Sequence, residues 1–122
     1  MVVKTSKYFS GIYKNFPHKD REMIYAFIQH IEQNGFNNLE GLNKESHHVD
    51  KNHPEFIVRV RYAIRNNLWH YHIGIVRYDI SKPFGFRTSE YILHYVKGND
   101  FIKIVDYSDH PPFKLPKEDY LD

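Results

Sequence analysis

His70-Tyr71-His72 is the sharpest chemical feature of the chain. If the segment is a strand, its two-residue period puts both imidazoles on one face, roughly 7 Å apart along the backbone. Two histidines so placed can divide general acid and base roles, because imidazole titrates near neutrality. They can equally share a metal ion, with Asp79, Asp106 or His110 as third ligand, or simply hydrogen-bond their neighbours on the strand. A second cluster, Asp106-Tyr107-Ser108-Asp109-His110, falls where the last strand should run out before Pro111-Pro112. Strand ends often carry reactive groups on a rigid scaffold, and Tyr107 and His110 can each exchange a proton. Arg77 and Arg87 flank the loop between predicted strands, where a guanidinium can clamp a phosphate or sit as an exposed charge.

RNA is cut without a metal when its 2′-OH attacks the adjacent phosphate. That reaction needs a base at the 2′-OH, an acid at the leaving 5′-oxygen and cations on the phosphoryl oxygens. The inventory of His, Tyr and Arg suits it. There is no cysteine, which removes Cys nucleophiles, thiolate metal sites and disulfides. No glycine-rich phosphate loop, Gly-x-Ser-x-Gly elbow or His-Glu-x-x-His helix competes.

These groups must be held by a small scaffold. The apolar residues Met23, Ile24, Phe27, Ile28 and Ile31 form a helical stripe between Pro17 and Gln33, with Asn34-Gly35 as its stop. Residues 4–14 fit a strand or a helical turn, and 43–53 read as a loop. Residues 54–65 alternate like a strand, but the His53-Pro54-Glu55 start and Asn66-Asn67 stop favour a helix. Its inward stripe would be Ile57, Val60, Ile64 and Leu68, with Arg61 and Arg65 one turn apart. Trp69–Tyr78 is a predicted strand, and Tyr91–Lys97 and Phe101–Tyr107 flank Gly98-Asn99-Asp100 as a hairpin. The sum is an α+β domain: a small antiparallel sheet with N-terminal helices packed on one face.

At 122 residues the chain suits one domain, and no apolar run approaches the ~20 residues of a membrane span. Lack of cysteine favours the cytoplasm. The formal charge is only +2, yet residues 56–99 carry seven cations against two anions, the footprint of a phosphate-binding surface or an ordinary solvated face.

The opening Lys-x-Ser-Lys-Tyr-Phe at residues 4–9, the helix from Pro17 to Glu22 and the closing hairpin resemble the RelE-type toxin superfamily. Arg87-Thr88-Ser89, then Leu93-His94-Tyr95-Val96 and the stretch from Phe101 to Pro112, look like its YafO-like branch of ribosome-dependent mRNA endonucleases. The resemblance spans most of residues 4–116, making 1–116 the toxin domain and 117–122 a charged, loose tail. It implies ribosome and mRNA as partners, a cognate antitoxin, no cofactor and no metal. It places the acting groups on Tyr107, His110 and Arg77 or Arg87, joined by His70 and His72 if their face is the concave one. The candidate catalytic set is then His70, His72, Arg87, Tyr107 and His110, with Arg61, Arg65, Arg77, His94 and Lys103 as candidate RNA contacts. The modest net charge departs from strongly basic relatives. Two alternatives stand beside the nuclease: a non-catalytic toxin of the same fold acting on another target, and a metal-binding His-x-His sheet protein.

Overall fold

The computed structural model describes all 122 residues. The chain runs β1 (Val2–Thr5), α1 (Lys7–Tyr13), α2 (His18–Asn34), β2 (Asn43–Glu45), α3 (Phe56–Arg65), β3 (Leu68–His72), β4 (Tyr91–Lys97) and β5 (Phe101–Asp109), followed by a 3-10 turn at Glu118–Tyr120. One five-stranded sheet results, in the order β1-β5-β4-β3-β2. Its β2–β5 portion is antiparallel, as expected, whereas β1 lies parallel to β5, so the sheet is mixed. The α+β class holds, and no helix is long and apolar enough to cross a membrane.

Residues 4–14 supply both elements that their pattern left open. Ser6 ends β1 and caps α1, its hydroxyl accepting from the Phe9 amide. In α2 the predicted stripe turns inward through Ile24, Phe27 and Ile31, and Gly35 closes the helix at φ 61° with its N–H on the Ile31 carbonyl. These side chains and Phe9 meet Tyr71, Leu93, Tyr95, Ile102 and Ile104 in the main core. The N-terminal helices therefore cover one face of the sheet.

The opposite face receives α3. This segment is helical as its end signals indicate, but it is rolled away from the expected stripe. Ala63 packs on Leu68, Val105 and Leu121 in a second core, while Ile57 and Ile64 are exposed. The roll is set by polar ties to the C-terminal segment: Arg59 donates to the Phe113 carbonyl at 3.1 Å and the Tyr62 hydroxyl to that of Pro116 at 2.7 Å. Consequently residues 113–122 are no loose tail. They form a strap across α3 that ends with the Lys7 amide donating to the Asp122 carbonyl and Tyr8 stacked on Tyr120.

The strand predicted from Trp69 to Tyr78 stops at His72, because Gly74 turns at φ 87° and gives its N–H to the Ser89 hydroxyl. Residues 73–90 form a long loop instead. The unforeseen strand is β2, whose Asn43, Lys44 and Glu45 pair with Tyr71, His70 and Trp69.

Candidate active site

Strand alternation sends Tyr71 into the helix-covered core and His70 and His72 to the other face, where the sequence pattern put them together. His94 of β4 lies directly across from His70. Beyond the end of β5, the His110 amide donates to the Glu90 carbonyl at 2.7 Å, which brings a fourth imidazole to the same place. Ring centroids are 5.9 Å apart for His70–His72, 6.4 Å for His70–His94 and 5.7 Å for His72–His110. Phe113 lies over His70, His94 and His110 at 4.8, 5.9 and 5.4 Å.

The four rings differ in surroundings. His94 is sealed, with Nε2 on the Ser108 hydroxyl at 2.8 Å and Nδ1 unpartnered. His70 is 6% exposed and holds the Ser46 hydroxyl through Nδ1 at 2.9 Å. Burial lowers the pKa of each to about 3, with neighbouring imidazoles adding to the effect. Both are neutral floor residues. His94 is thus no RNA contact, whereas His70 lines the cleft beside His72.

Half-buried His110 and His72, which is 4% exposed, face a cleft of 1380 Å³ that His70 also lines, together with Lys44, Arg77, Tyr78 and Ser89. Burial lowers both pKa values; Lys44 depresses both further, while a hydrogen bond to Ser89 partly opposes the shift at His72. That bond has a useful property. The Ser89 amide donates to Nδ1 of His72 at 3.0 Å, and the Ser89 carbonyl lies 2.9 Å from the same nitrogen. One backbone residue can therefore hold Nδ1 bare or protonated, so His72 keeps its orientation while gaining or losing a proton.

Several expected members lie elsewhere. Tyr107 is on the opposite face, packed on Phe16 and Tyr91, its hydroxyl donating to Asp20 at 3.2 Å. Burial and the Asp20 carboxylate push its pKa well up, and it cannot serve the cleft. It directly precedes the histidine-facing Ser108, beyond the register break opposite His94/Tyr95, and so points to the other face. Arg87 is committed to Glu40 at 2.9 Å and to the Lys82 carbonyl at 3.0 Å, bracing the loop. Arg61 and Arg65 are on the exposed side of α3, and Lys103 sits in register with Lys4 at the far edge of the sheet. The cations of residues 56–99 thus do not gather at the cleft. Its walls carry Lys44 and Arg77 together with Glu40, Asp79 and Glu90.

Conversely, Lys44, Ser46, His48 and Ser89 were not expected here. Glu40, Leu42 and Lys44 line the cleft and Ser46 holds His70, a two-residue period that runs into the stretch 43–53 read as loop. No three His, Asp or Glu side chains are grouped to hold a metal ion.

Close packing fixes the position of His72. Gly41 gives its N–H to the Tyr71 hydroxyl at 3.1 Å, Tyr71 meets the Tyr78 hydroxyl at 2.9 Å, and Tyr78 donates to the His72 carbonyl at 2.7 Å. A Cβ on Gly41 would collide with that carbonyl and stand 2.7 Å from the Tyr78 oxygen. Gly41→Ala is expected to destabilise the fold by about 1–3 kcal/mol, the usual cost of overpacking, as read by urea unfolding. Unchanged stability would show that the β2 edge yields freely. Comparison with family models, curated proteins and solved structures returns no match for this chain.

Proposed function

We propose that the cleft cleaves RNA by internal attack of a 2′-OH, and that the chain is the toxin of a toxin–antitoxin pair of the RelE type, acting on mRNA at the ribosome. The observation carrying this proposal is the pairing of His72 and His110 at 5.7 Å in an open cleft with Lys44 beside them. His72 takes the proton of the 2′-OH as its oxygen bonds to phosphorus. Protonated His110 gives its proton to the departing 5′-oxygen. The products are a 2′,3′-cyclic phosphate and a 5′-hydroxyl, with the two histidines left in exchanged protonation states. Lys44 and Arg77 face the charge that builds on the phosphoryl oxygens. The resemblance at Lys4–Phe9 and in the closing hairpin supports the toxin assignment, with a cognate antitoxin as the partner that silences it.

End-labelled RNA incubated with the purified protein, with and without ribosomes, and with EDTA added only where ribosomes are left out, tests the chemistry. Fragments ending in cyclic phosphate are expected; intact RNA both with and without ribosomes, fragments ending in a 3′-hydroxyl, or EDTA protection of RNA that is cut without ribosomes, would overturn it. Lys44→Ala is expected to slow cleavage about 10- to 100-fold, and Tyr107→Phe to leave it within about 2-fold, since electrostatic stabilisation needs groups near the phosphate. A loss on Tyr107→Phe exceeding that of Lys44→Ala would place the chemistry on the other face. Growth arrest that survives the His72→Ala/His110→Ala double variant would instead favour a non-catalytic toxin.

A further inference from the structure

On the other side of the edge strand from the histidine cleft lies a smaller pocket of 340 Å³, near the low end of the ~300–1,000 Å³ typical of small-ligand sites. Alternate residues divide the two. Glu40, Leu42 and Lys44 face the cleft, whereas Leu39, Gly41 and Asn43 line the pocket, which Phe36, Asn38 and Phe84 complete. We infer that this pocket is a nucleobase subsite, holding the base of a nucleotide next to the one cut across the strand. The inference rests on the RNA-cleaving proposal for the identity of the polymer.

Its chemistry favours a flat, heteroatom-edged ring. Phe84 is 57% exposed although its loop is firmly held, with Gly85 donating to the Glu40 carbonyl at 2.9 Å and Arg87 bound to the same residue. The ring is therefore held out in water by structure, with the Arg87 guanidinium 5.9 Å from its centroid and more than half of its surface still open. Aromatic faces so exposed stack on bases. Asn43 accepts the Tyr95 hydroxyl through Oδ1 at 2.6 Å, which orients its amide and leaves Nδ2 as a donor in the lining. Donor–acceptor amides beside aromatic faces are what read a base edge. A cation stands close by: Lys97 lies 5.8 Å from the Phe36 ring and 5.3 Å from Trp69. It can meet the phosphate of the bound nucleotide.

Trp69 is the single tryptophan and stacks on Tyr95, which in turn stacks on Phe36, so its fluorescence reports on this corner of the protein. The test titrates the four ribonucleoside 5′-monophosphates, inorganic phosphate and a single-stranded RNA dodecamer, exciting Trp69 alone. Saturable quenching by one or more monophosphates, and none by phosphate, is expected. Phe84→Ala should weaken it roughly 5- to 150-fold, the span of base–aromatic stacking, with thermal unfolding unchanged. Quenching by the dodecamer but not by monophosphates would assign the pocket to a base within a strand, supporting the subsite and excluding a free nucleotide as its ligand. Equal quenching by phosphate, unaltered binding in Phe84→Ala, or no response to nucleotide or RNA would overturn the inference. Monophosphates have no bond for the cleft to cut. Binding without RNA cleavage would therefore sink the nuclease alone, and cleavage without binding the subsite alone.

Discussion

Alanine at His72 or His110 is expected to lower RNA cleavage by about 10²- to 10⁴-fold, the contribution of one positioned acid or base. The double variant should fall little further, because the two groups act on one proton circuit and their losses do not multiply. The loss belongs in kcat, measured under saturating RNA, since neither imidazole is asked to bind the ground state. A pH profile separates this from a structural effect. Burial holds both groups below the ordinary histidine value near 6.5, so the acid form of His110 is scarce at neutrality. Cleavage should therefore peak on the acid side of pH 6.5 and fall as pH rises, with one limb missing in each single variant. A maximum above pH 7, or single variants cutting at wild-type rates, would remove the pair from the chemistry.

The fold should also lose stability steeply in mild acid. His70 and His94 are held near pKa 3 in the folded chain and return to about 6.5 when it unfolds. Below pH 6.5 the unfolded chain binds protons that the folded chain refuses, so stability present above that pH drains away as pH falls. Each contributes a slope of about 1.4 kcal/mol per pH unit. Asp106 works the other way. Burial raises its carboxyl to about 6, so between there and its ordinary value the folded chain is the one that binds a proton. It offsets one of the two histidines, leaving about 1.4 kcal/mol per unit, or nearly 3 kcal/mol between pH 6 and pH 4. Against a typical total of ~5–15 kcal/mol this is a large share. His72 and His110 add in the same direction as the pair. Urea midpoints measured across pH 7 to 4 check it, and His94→Gln should visibly flatten the dependence. An identical slope in that variant would mean that His94 titrates normally in the folded protein.

Much of this arrangement was legible in residue order. The stripe of α2, its Gly35 stop, the hairpin at Gly98 and the shared face of His70 and His72 all follow from local periodicity, which the fold preserved. Two kinds of information were not local. Whether Tyr107 joins the histidines depends on the parity of β5 across its irregular register at His94/Tyr95, where an extra residue interrupts simple alternation. The roll of α3 depends on the strap, whose carbonyls at Phe113 and Pro116 select the Arg59 and Tyr62 side. The apolar pattern alone offered Ile57 and Ile64 as an equally good inward face. Lys44 escaped notice because β2 is three residues long and polar, an edge strand recognisable only by what it pairs with. Arg87 had the right chemistry, but its charge is already satisfied by Glu40, forty-seven positions away.

The strap gives the imidazole floor its character. Phe113 keeps water off His70 and His94, and Arg59 and Tyr62 keep Phe113 in place. Were that closure to peel back, the two rings would hydrate and recover ordinary basicity. The protein's expected acid sensitivity and the seating of its last ten residues are accordingly one property, and whatever loosens the one retunes the other.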